Sequence, residues 1–285
     1  MEVIRTIAGT RASCDAARAS GADVGLVPTM GAFHDGHASL IRRARAERGH
    51  VVVSIFVNPL QFGERADLEA YPRDEARDLA LAEELGADVV FAPSAEEMYP
   101  GGEPEVTVDP GPLGGRLEGA SRPGHFRGVA TVVAKLFNTA GRCTAYFGEK
   151  DAQQHAVIRR MVRDLAFAVE VEACPIVREP GGLAHSSRNA RLSPEQRDAA
   201  SVLFFALTQA AELARSGERD AARLVAVIAR EIGAEPAARL DQVAIVDDET
   251  FEEITSLEGV RRARALVAAR FGDVRLIDNV VLPIV

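Results

Sequence analysis

Five short apolar runs, Val24 to Val27, Val51 to Val57, Val89 to Phe91, Ala145 to Phe147 and Val169 to Val177, alternate along this chain with stretches of helical periodicity. A strand with few polar positions has no face to give to water, so such runs belong in a sheet covered on both sides. The intervening patterns, Ala38 to Arg48, Pro72 to Leu85, Gly128 to Thr139 and Ala152 to Leu165, each carry an apolar face that supplies this cover. The alternation predicts an α/β fold with a Rossmann-like, mostly parallel sheet over residues 1–176. The Gly- and Pro-rich stretch from Met98 to Gly128 reads as a long excursion with at most short strands.

Beyond Arg191 the texture changes. Ser193-Pro194-Glu195-Gln196 offers an N-cap serine, a proline at the first helical position and a glutamine three residues on, so a helix starts there and runs to about Ser216, ahead of Gly217. A second helix is expected from Asp220 to Ile232, followed by strands at Gln242 to Val246, Ala263 to Arg270 and Val274 to Val281. Residues 177–285 therefore read as a smaller C-terminal α+β domain with mostly antiparallel strands.

With 285 residues and 47% hydrophobic content, the chain is long enough to fill two cores. Its 42 acidic residues outnumber 33 basic ones, and the net charge of −9 gives no general footprint for nucleic acid; a small ligand is expected instead. Cys14, Cys143 and Cys174 are odd in number and widely spaced, which reads as reduced thiols and implies no structural zinc. The start lacks a basic segment followed by an apolar run, and no uncharged stretch approaches the roughly 20 residues of a membrane span. The expectation is a cytoplasmic protein with neither nucleic acid nor membrane as partner.

In an open α/β sheet, ligands bind outside the carboxyl ends of the strands. The polar motifs fall there repeatedly: the first run feeds Pro28 to His37, the second Asn58 to Phe62, the fourth Gly148 to Gln154 and the fifth Arg178 to Asn189. His34 and His37 stand three apart where the helical pattern from Ala38 begins. A helix start aims N–H groups and a positive dipole end at an anion, and this spacing puts both rings on one face; the plainer alternative is that the pair caps a helix and packs. Gln61 lies in an otherwise apolar N-P-L-Q-F turn, where a buried amide needs a partner. Asn58, before Pro59, either shapes that turn or binds. Asp151 is suited to cap the helix from Ala152. Gln154 aligns with Ile158, Met161 and Leu165 on the apolar face, whereas Gln153 aligns with Val157, Arg160 and Asp164, so Gln154 is the amide expected to be buried and to call for a ligand. Lys150, in a Gly-containing loop, is placed to neutralise a phosphate. Gly181 to Asn189 offers amides, hydroxyls and a guanidinium, a clamp for a triphosphate tail, with a Ser-rich linker as the alternative. The clamp's position beside the inferred domain boundary marks the C-terminal domain as a lid, with Gly181 and Gly182 as its flexible elements.

The chain contains no G-x-x-x-x-G-K-[ST] loop, no G-x-G-x-x-G fingerprint, no H-E-x-x-H helix and no G-x-S-x-G elbow. Phosphate chemistry without a P-loop is left.

P-T-M-G-A-F-H-D-G-H at Pro28 to His37 carries the H-x-G-H signature of the nucleotidyltransferase superfamily. Together with F-V-N-P-L-Q-F-G at Phe56 to Gly63, D-L-E-A-Y-P-R at Asp67 to Arg73, H-F-R-G-V-A-T-V-V-A-K-L-F-N at His125 to Asn138, Y-F-G-E-K-D-A-Q-Q at Tyr146 to Gln154, S-S-R-N at Ser186 to Asn189 and R-L-I-D-N at Arg275 to Asn279, it resembles the pantothenate synthetase family over nearly the whole chain. The resemblance implies ATP-dependent ligation: pantoate attacks the α-phosphate to give pantoyl adenylate and pyrophosphate, and β-alanine then displaces AMP. It implies Mg²⁺ and a homodimer. Carried over, His34 and His37 contact the phosphates and the transition state, Lys150 the α-phosphate, and Ser186, Ser187 and Arg188 the β- and γ-phosphates. Gly148 and Asp151 take the ribose, Met30 lines the site, Gln61 and Gln154 hold pantoate with Asn58 beside them, and Asp78 is a Mg²⁺ or phosphate-side contact.

Three positions depart from the family pattern: Gly181 stands where an Asp is usual, His185 where an apolar residue is usual, and Ala152 where a larger residue is common. The second glycine is expected to loosen that loop. The rival readings are a different H-x-G-H nucleotidyltransferase acting on a phosphorylated acceptor, and a nucleotide sensor without catalysis. Paired amides at Gln61 and Gln154 disfavour the first, and four cationic or protonatable groups, His34, His37, Lys150 and Arg188, the second.

Overall fold

The strands Glu2–Ile4 (β1), Val24–Thr29 (β2), His50–Ile55 (β3), Val89–Phe91 (β4), Cys143–Gly148 (β5) and Val169–Cys174 (β6) form one parallel sheet in the order β1-β4-β3-β2-β5-β6. The computed structural model describes residues 1–63 and 68–284; Asp67, which opens the D-L-E-A-Y-P-R motif, lies outside the described residues. Helices in this part are Ile7–Ala19 (α1), Asp35–Glu47 (α2), Glu75–Glu84 (α3), Ala95–Met98 (α4), Glu118–Ser121 (α5), His125–Ala140 (α6) and Ala152–Asp164 (α7). Val27, Val51, Val53 and Val90 on the strands are fully enclosed, and Ala38, Ile41 and Ala44 of α2 with Ala82 of α3 close over them. Each fully buried valine or isoleucine contributes about 1.5–3 kcal/mol relative to exposure. The continuous apolar reading of these strands thus reflects helices on the sheet's faces.

Pairing of Val24 with His50 through Thr29 with Ile55 sets β3 on one side of β2, and Gly25 with Thr144 sets β5 on the other. From β2 the chain order runs outward through β3 and β4 in one direction, and through β5 and β6 in the other. The reversal falls between β2 and β5, where a doubly wound sheet opens a crevice at its carboxyl edge.

Backbone proximity divides the chain into two units, Met1–Glu149 with Val157–Pro175, and Lys150–Ala156 with Ile176–Val285. The second contains helices Pro194–Ala199 (α8), Val202–Arg215 (α9) and Ala221–Gly233 (α10) and an antiparallel sheet of Ala238–Asp247 (β7), Ala263–Phe271 (β8) and Val274–Leu282 (β9) in that order. Ala206, Ala210 and Ala214, four apart, make a buried stripe on α9, which packs with Leu224 and Ile228 of α10 and Val267 and Phe271 of β8 in one core.

The elements differ from the sequence reading in several places, among them β3, which ends at Ile55 and not at Val57, and the excursion from Met98, which holds the short helix α5. β1 and α1 were not expected: β1 has three residues, and α1, I-A-G-T-R-A-S-C-D-A-A-R-A, has almost no bulky apolar side chains to reveal a period. β6 stops at Cys174 and not at Val177, because Pro175 has no N–H for the ladder. α2 starts at Asp35, which places His37 inside its first turn. The expected single helix from Ser193 to Ser216 is two: the capping box of Ser193 and Gln196 forms, but at Ala200 and Ser201 the backbone tightens to i→i+3 bonds, Ser201 N to Asp198 O and Leu203 N to Ala200 O.

Candidate active site

The loop leaving β2 makes two successive left-handed residues, Gly31 (φ +79°) and Ala32 (φ +52°). A side chain at Gly31 would put its Cβ 2.8 Å from Asp78 Oδ2, so only glycine fits. At Ala32 the conformation costs roughly 1–2 kcal/mol. What holds it is Asp78, whose Oδ2 accepts the Ala32 N–H at 2.7 Å and whose Oδ1 accepts the Phe33 N–H at 2.8 Å. Asp78 lies on α3 and is buried. The carboxylate therefore occupies the nest that these two amides form, so that both of its oxygens brace the loop. Backbone strain held in place by charge-assisted bonds is characteristic of functional loops.

His34 is the N-cap of α2, its Nδ1 accepting the Gly36 N–H at 3.1 Å. Capping and chemistry were alternatives for this residue; the geometry allows both, because a neutral ring that accepts at Nδ1 carries its proton at Nε2. The rings of His34 and His37 lie 4.1 Å apart at their centroids, and Phe33 backs His37 at 5.5 Å. Both histidines and Met30 thus stand at the carboxyl end of β2, where its loop meets the helix start.

The turn after β3 is held by a network that sequence reasoning did not foresee. Asn58 is buried, and all four of its amide positions are taken: Nδ2 donates to Gln61 Oε1 at 3.0 Å and to Gly128 O at 3.1 Å, while Oδ1 accepts from the Tyr99 hydroxyl at 2.8 Å and from Leu60 N at 3.3 Å. An amide has two donors and two acceptor lone pairs, so Asn58 has nothing left for a substrate and positions Gln61 instead. The backbone partners also settle which end is which, since Leu60 N only donates and Gly128 O only accepts. Gln61 Oε1 therefore faces Asn58, and Gln61 Nε2 points the other way, 3.0 Å from Met30 Sδ. The Gln61 carbonyl accepts from His125 Nδ1 at 2.9 Å, and Arg122 Nη1 lies 3.1 Å from His125 Nε2. Because arginine only donates, this ring is neutral with its proton on Nδ1. Gly128 permits the contact of α6 with the turn: a Cβ there would fall 2.3 Å from Leu60 O.

β5 ends at Gly148, beside which no described atom lies within 4 Å of the place a Cβ would take. In the second unit, Lys150 and Asp151 belong to the short turn before α7, with Lys150 Nζ 3.9 Å from Asp151 Oδ1; the lysine is mostly enclosed and the aspartate half exposed. The order of the next two amides is opposite to expectation: Gln153 is buried and Gln154 half-buried. The enclosed face of α7 runs through Gln153, Val157 and Met161, while Leu165, at the end of the Gln154 line, is 55% exposed.

Ser186 caps the turn Ser187–Arg191, accepting the Arg188 N–H at 3.3 Å. The preceding segment is a tight hairpin and not a loosened loop: Glu179 N bonds Leu183 O at 2.8 Å, Gly182 N bonds Glu179 O at 2.8 Å and His185 N bonds Val177 O at 3.0 Å. Gly182 (φ +94°) is required, since a Cβ would strike Phe204 at 2.3 Å. Arg178 clamps the hairpin, pairing both oxygens of buried Asp278 at 2.6 and 2.9 Å and lying over the Phe204 ring. Asn189 Nδ2 donates to Ala184 O and to Glu179 Oε1, both at 3.0 Å, and the Arg197 guanidinium on Glu179 holds its carboxyl below the usual range. The reading of Gly181 and Gly182 as flexible elements is therefore replaced by a pinned turn.

Residues 2–281 match the model of the Pantoate-beta-alanine ligase family. The chain belongs to that family. The pantothenate synthetase of Rubrobacter xylanophilus is 57% identical over 93% of both chains, and that of Roseiflexus castenholzii 56% identical over 99% of both. Among solved structures, pantothenate synthetase from Thermus thermophilus aligns with a TM-score of 0.89 at 49% identity, covering 98% of this chain and 99% of its own. A pantoate-beta-alanine ligase from Francisella tularensis, complexed with beta-gamma ATP and beta-alanine, aligns with a TM-score of 0.79 at 33% identity, covering 98% and 97%. In this ligase-family fold Tyr99, His125 and Gly128 were the residues missed. Gln61's isolation in an apolar turn signalled that partners existed without saying where.

Proposed function

We propose that this chain joins pantoate to β-alanine at the expense of ATP, through a pantoyl adenylate. The whole-length family match carries the reading. In the first step a pantoate carboxylate oxygen attacks the α-phosphorus, and the bond from phosphorus to the bridging oxygen breaks with its electron pair leaving on pyrophosphate. In the second, the amine nitrogen of β-alanine attacks the acyl carbon, AMP departs with the electrons of the mixed anhydride bond, and the nitrogen sheds a proton. Charge develops on phosphoryl oxygens in the first step, so catalysis by positioning and neutralisation suffices.

In this reading His34 and His37 donate to phosphate oxygens, Lys150 meets the α-phosphate, and Ser186, Ser187 and Arg188 hold the β- and γ-phosphates. Gly148 and Asp151 take the ribose. Gln61, its Nε2 aimed by Asn58, and Gln154 hold the acid, with Met30 against it. Residues 1–176 serve acid and nucleotide, and 177–285 supply the phosphate clamp. Mg²⁺ enters as the counter-ion of ATP, with Asp78, whose oxygens each accept one loop amide and keep a further lone pair, as its metal- or phosphate-side contact; among the described residues no cluster of three or more His, Cys, Asp or Glu is placed to hold a metal. The same reading extends to a cytoplasmic homodimer; no helix of the described residues is long and apolar enough to cross a membrane.

Pyrophosphate–ATP exchange measured against a panel of hydroxy acids tests the proposal. Exchange is expected with pantoate alone, and AMP release only after β-alanine is added. Exchange supported equally by a phosphorylated acceptor, or AMP release without the amine, would overturn it.

A further inference from the structure

We propose that Asn279 is a positioning residue for Lys150, fixing the backbone from which the lysine reaches its phosphate; this rests on the assignment of Lys150 given above. Asn279 lies on β9 opposite Leu266 of β8, and Arg264 pairs with Val281, so the two side chains are diagonal neighbours on one face of the sheet. Both are buried, at 2% and 5% exposure. Asn279 Nδ2 donates to the Lys150 carbonyl at 2.9 Å. Its Oδ1 accepts from Arg264 Nη1, and Arg264 Nε donates to Asp248 Oδ1. Asp248 Oδ2 lies 2.8 Å from Arg262 Nε.

The chemistry of this row is directional. A guanidinium only donates, so it forces Oδ1 of Asn279 toward itself and Nδ2 toward the Lys150 carbonyl. A carboxamide accepts at one end and donates at the other, which is what this row requires. Asp248 in turn compensates the buried guanidinium, without which the row would contain an unpaired charge. Lysine is a point charge on a flexible four-carbon stem; holding its main-chain carbonyl narrows the positions its ammonium can take. A misplacement of about 1 Å costs on the order of 10²-fold in rate, so fixing the root of the stem bears on turnover more than on nucleotide affinity.

Asn279→Asp is the discriminating variant. It is isosteric, keeps an oxygen for Arg264, and turns the other end from donor to acceptor against the Lys150 carbonyl. Pyrophosphate exchange at saturating ATP and pantoate, measured well below the unfolding temperature, is expected to fall roughly 10- to 100-fold, with the KM for ATP within about twofold; the acceptor left facing a carbonyl lowers the unfolding temperature by roughly 2–12 °C, so turnover decides. A merely structural role gives a lower unfolding temperature with unchanged turnover below it, and would overturn the proposal. Asn279→Gln, which keeps donor and acceptor but displaces them by a methylene, serves if the first variant does not fold; parental turnover in whichever variant folds refutes the proposal, and failure of both to fold would assign Asn279 to the core alone. Lys150→Ala is measured beside them. Parental turnover there would fail the functional assignment of Lys150 itself, whereas its collapse beside a fully active Asn279→Asp would fail only the positioning role.

Discussion

Asn58→Asp probes the network around Gln61 through a change of two atoms' chemistry and no change of shape. The substitution removes both N–H donors, the ones given to Gln61 Oε1 and Gly128 O. At 1% exposure the new carboxyl is pushed toward its protonated form, and its single O–H serves only one of the two acceptors. Gly128 O is main chain and cannot turn; the Gln61 amide can. Gln61 is expected to flip, donating Nε2 to the hydroxyl oxygen that stands where Nδ2 stood and whose proton goes to Gly128 O, and presenting Oε1 where its own Nε2 stood. One imperfectly paired buried group costs about 1–3 kcal/mol, which for domains of this size lowers the unfolding temperature by roughly 2–12 °C. Replacing a donor by an acceptor before an anionic substrate removes a bond worth about 1.5–3 kcal/mol, roughly a 10- to 150-fold loss in kcat/KM for pantoate. Initial rates of exchange, with pantoate varied at saturating ATP and then the reverse, separate the two ligands, and scanning calorimetry gives the stability. A folded variant with parental kcat/KM for pantoate, or one in which ATP and pantoate parameters fall in parallel, would refute the reasoning.

Asp78→Asn leaves one loop amide facing an NH₂ group, so a stability loss of about 1–3 kcal/mol is expected, with the Mg²⁺ titration of exchange moved to higher concentration; an unmoved titration would confine Asp78 to bracing the loop. Burial pushes the thiols of Cys14 to about 11 and Cys143 to about 12, and raises that of Cys174; a thiol reagent at about pH 8 should therefore label the native protein slowly and all three cysteines on unfolding, and rapid native labelling of any one would contradict its enclosure. Glu179, held low chiefly by its bond to Arg197, contributes stability above the ordinary carboxylate value and loses it as pH falls through the depressed folded value. With Arg197 half exposed the contribution is at most about 1 kcal/mol. The unfolding-temperature gap between the parent and Glu179→Gln should close as pH is lowered from about 6 to about 3; a gap independent of pH would show that the ion pair is not its source.

The parallel sheet was legible because β2, β3 and β5 are enclosed on both faces and so spell unbroken apolar runs, whereas β1 and α1 spell nothing distinctive. Gln61 shows what local sequence leaves out. Its demand for a partner was readable from the apolar residues around it, but the partners are Asn58 within the turn and, behind Asn58, Tyr99 and Gly128 from distant elements. Asn58 and Asp78 both read as ligand contacts because their residue types suit ligands; counting donors and lone pairs in the structure gives Asn58 wholly to the scaffold, whereas Asp78 gives the loop one acceptor from each oxygen. At α7 a shift of one position decided which glutamine is enclosed, since the apolar face is broad and both alignments touch it. Asn279 was quoted within R-L-I-D-N with no role, because its donor and acceptor partners come from β8 and from a turn far upstream.

The grouping of Lys150–Ala156 with the C-terminal residues means that the backbone crosses between the two units three times, after Glu149, after Ala156 and after Pro175. A cut at Pro175 would not deliver two autonomous pieces. The N-terminal fragment would retain residues 150–156 stripped of Asn279, so a loss of adenylation in it would say nothing about the phosphate clamp. Exchange of the second unit between two copies of the chain, the low-cost route to swapped dimers when one hinge connects two bodies, would here have to move three crossings at once. Transplanting the C-terminal part from one relative onto another would likewise divide Lys150 from the β9 residue it came with, so residues 150–156 belong with the graft.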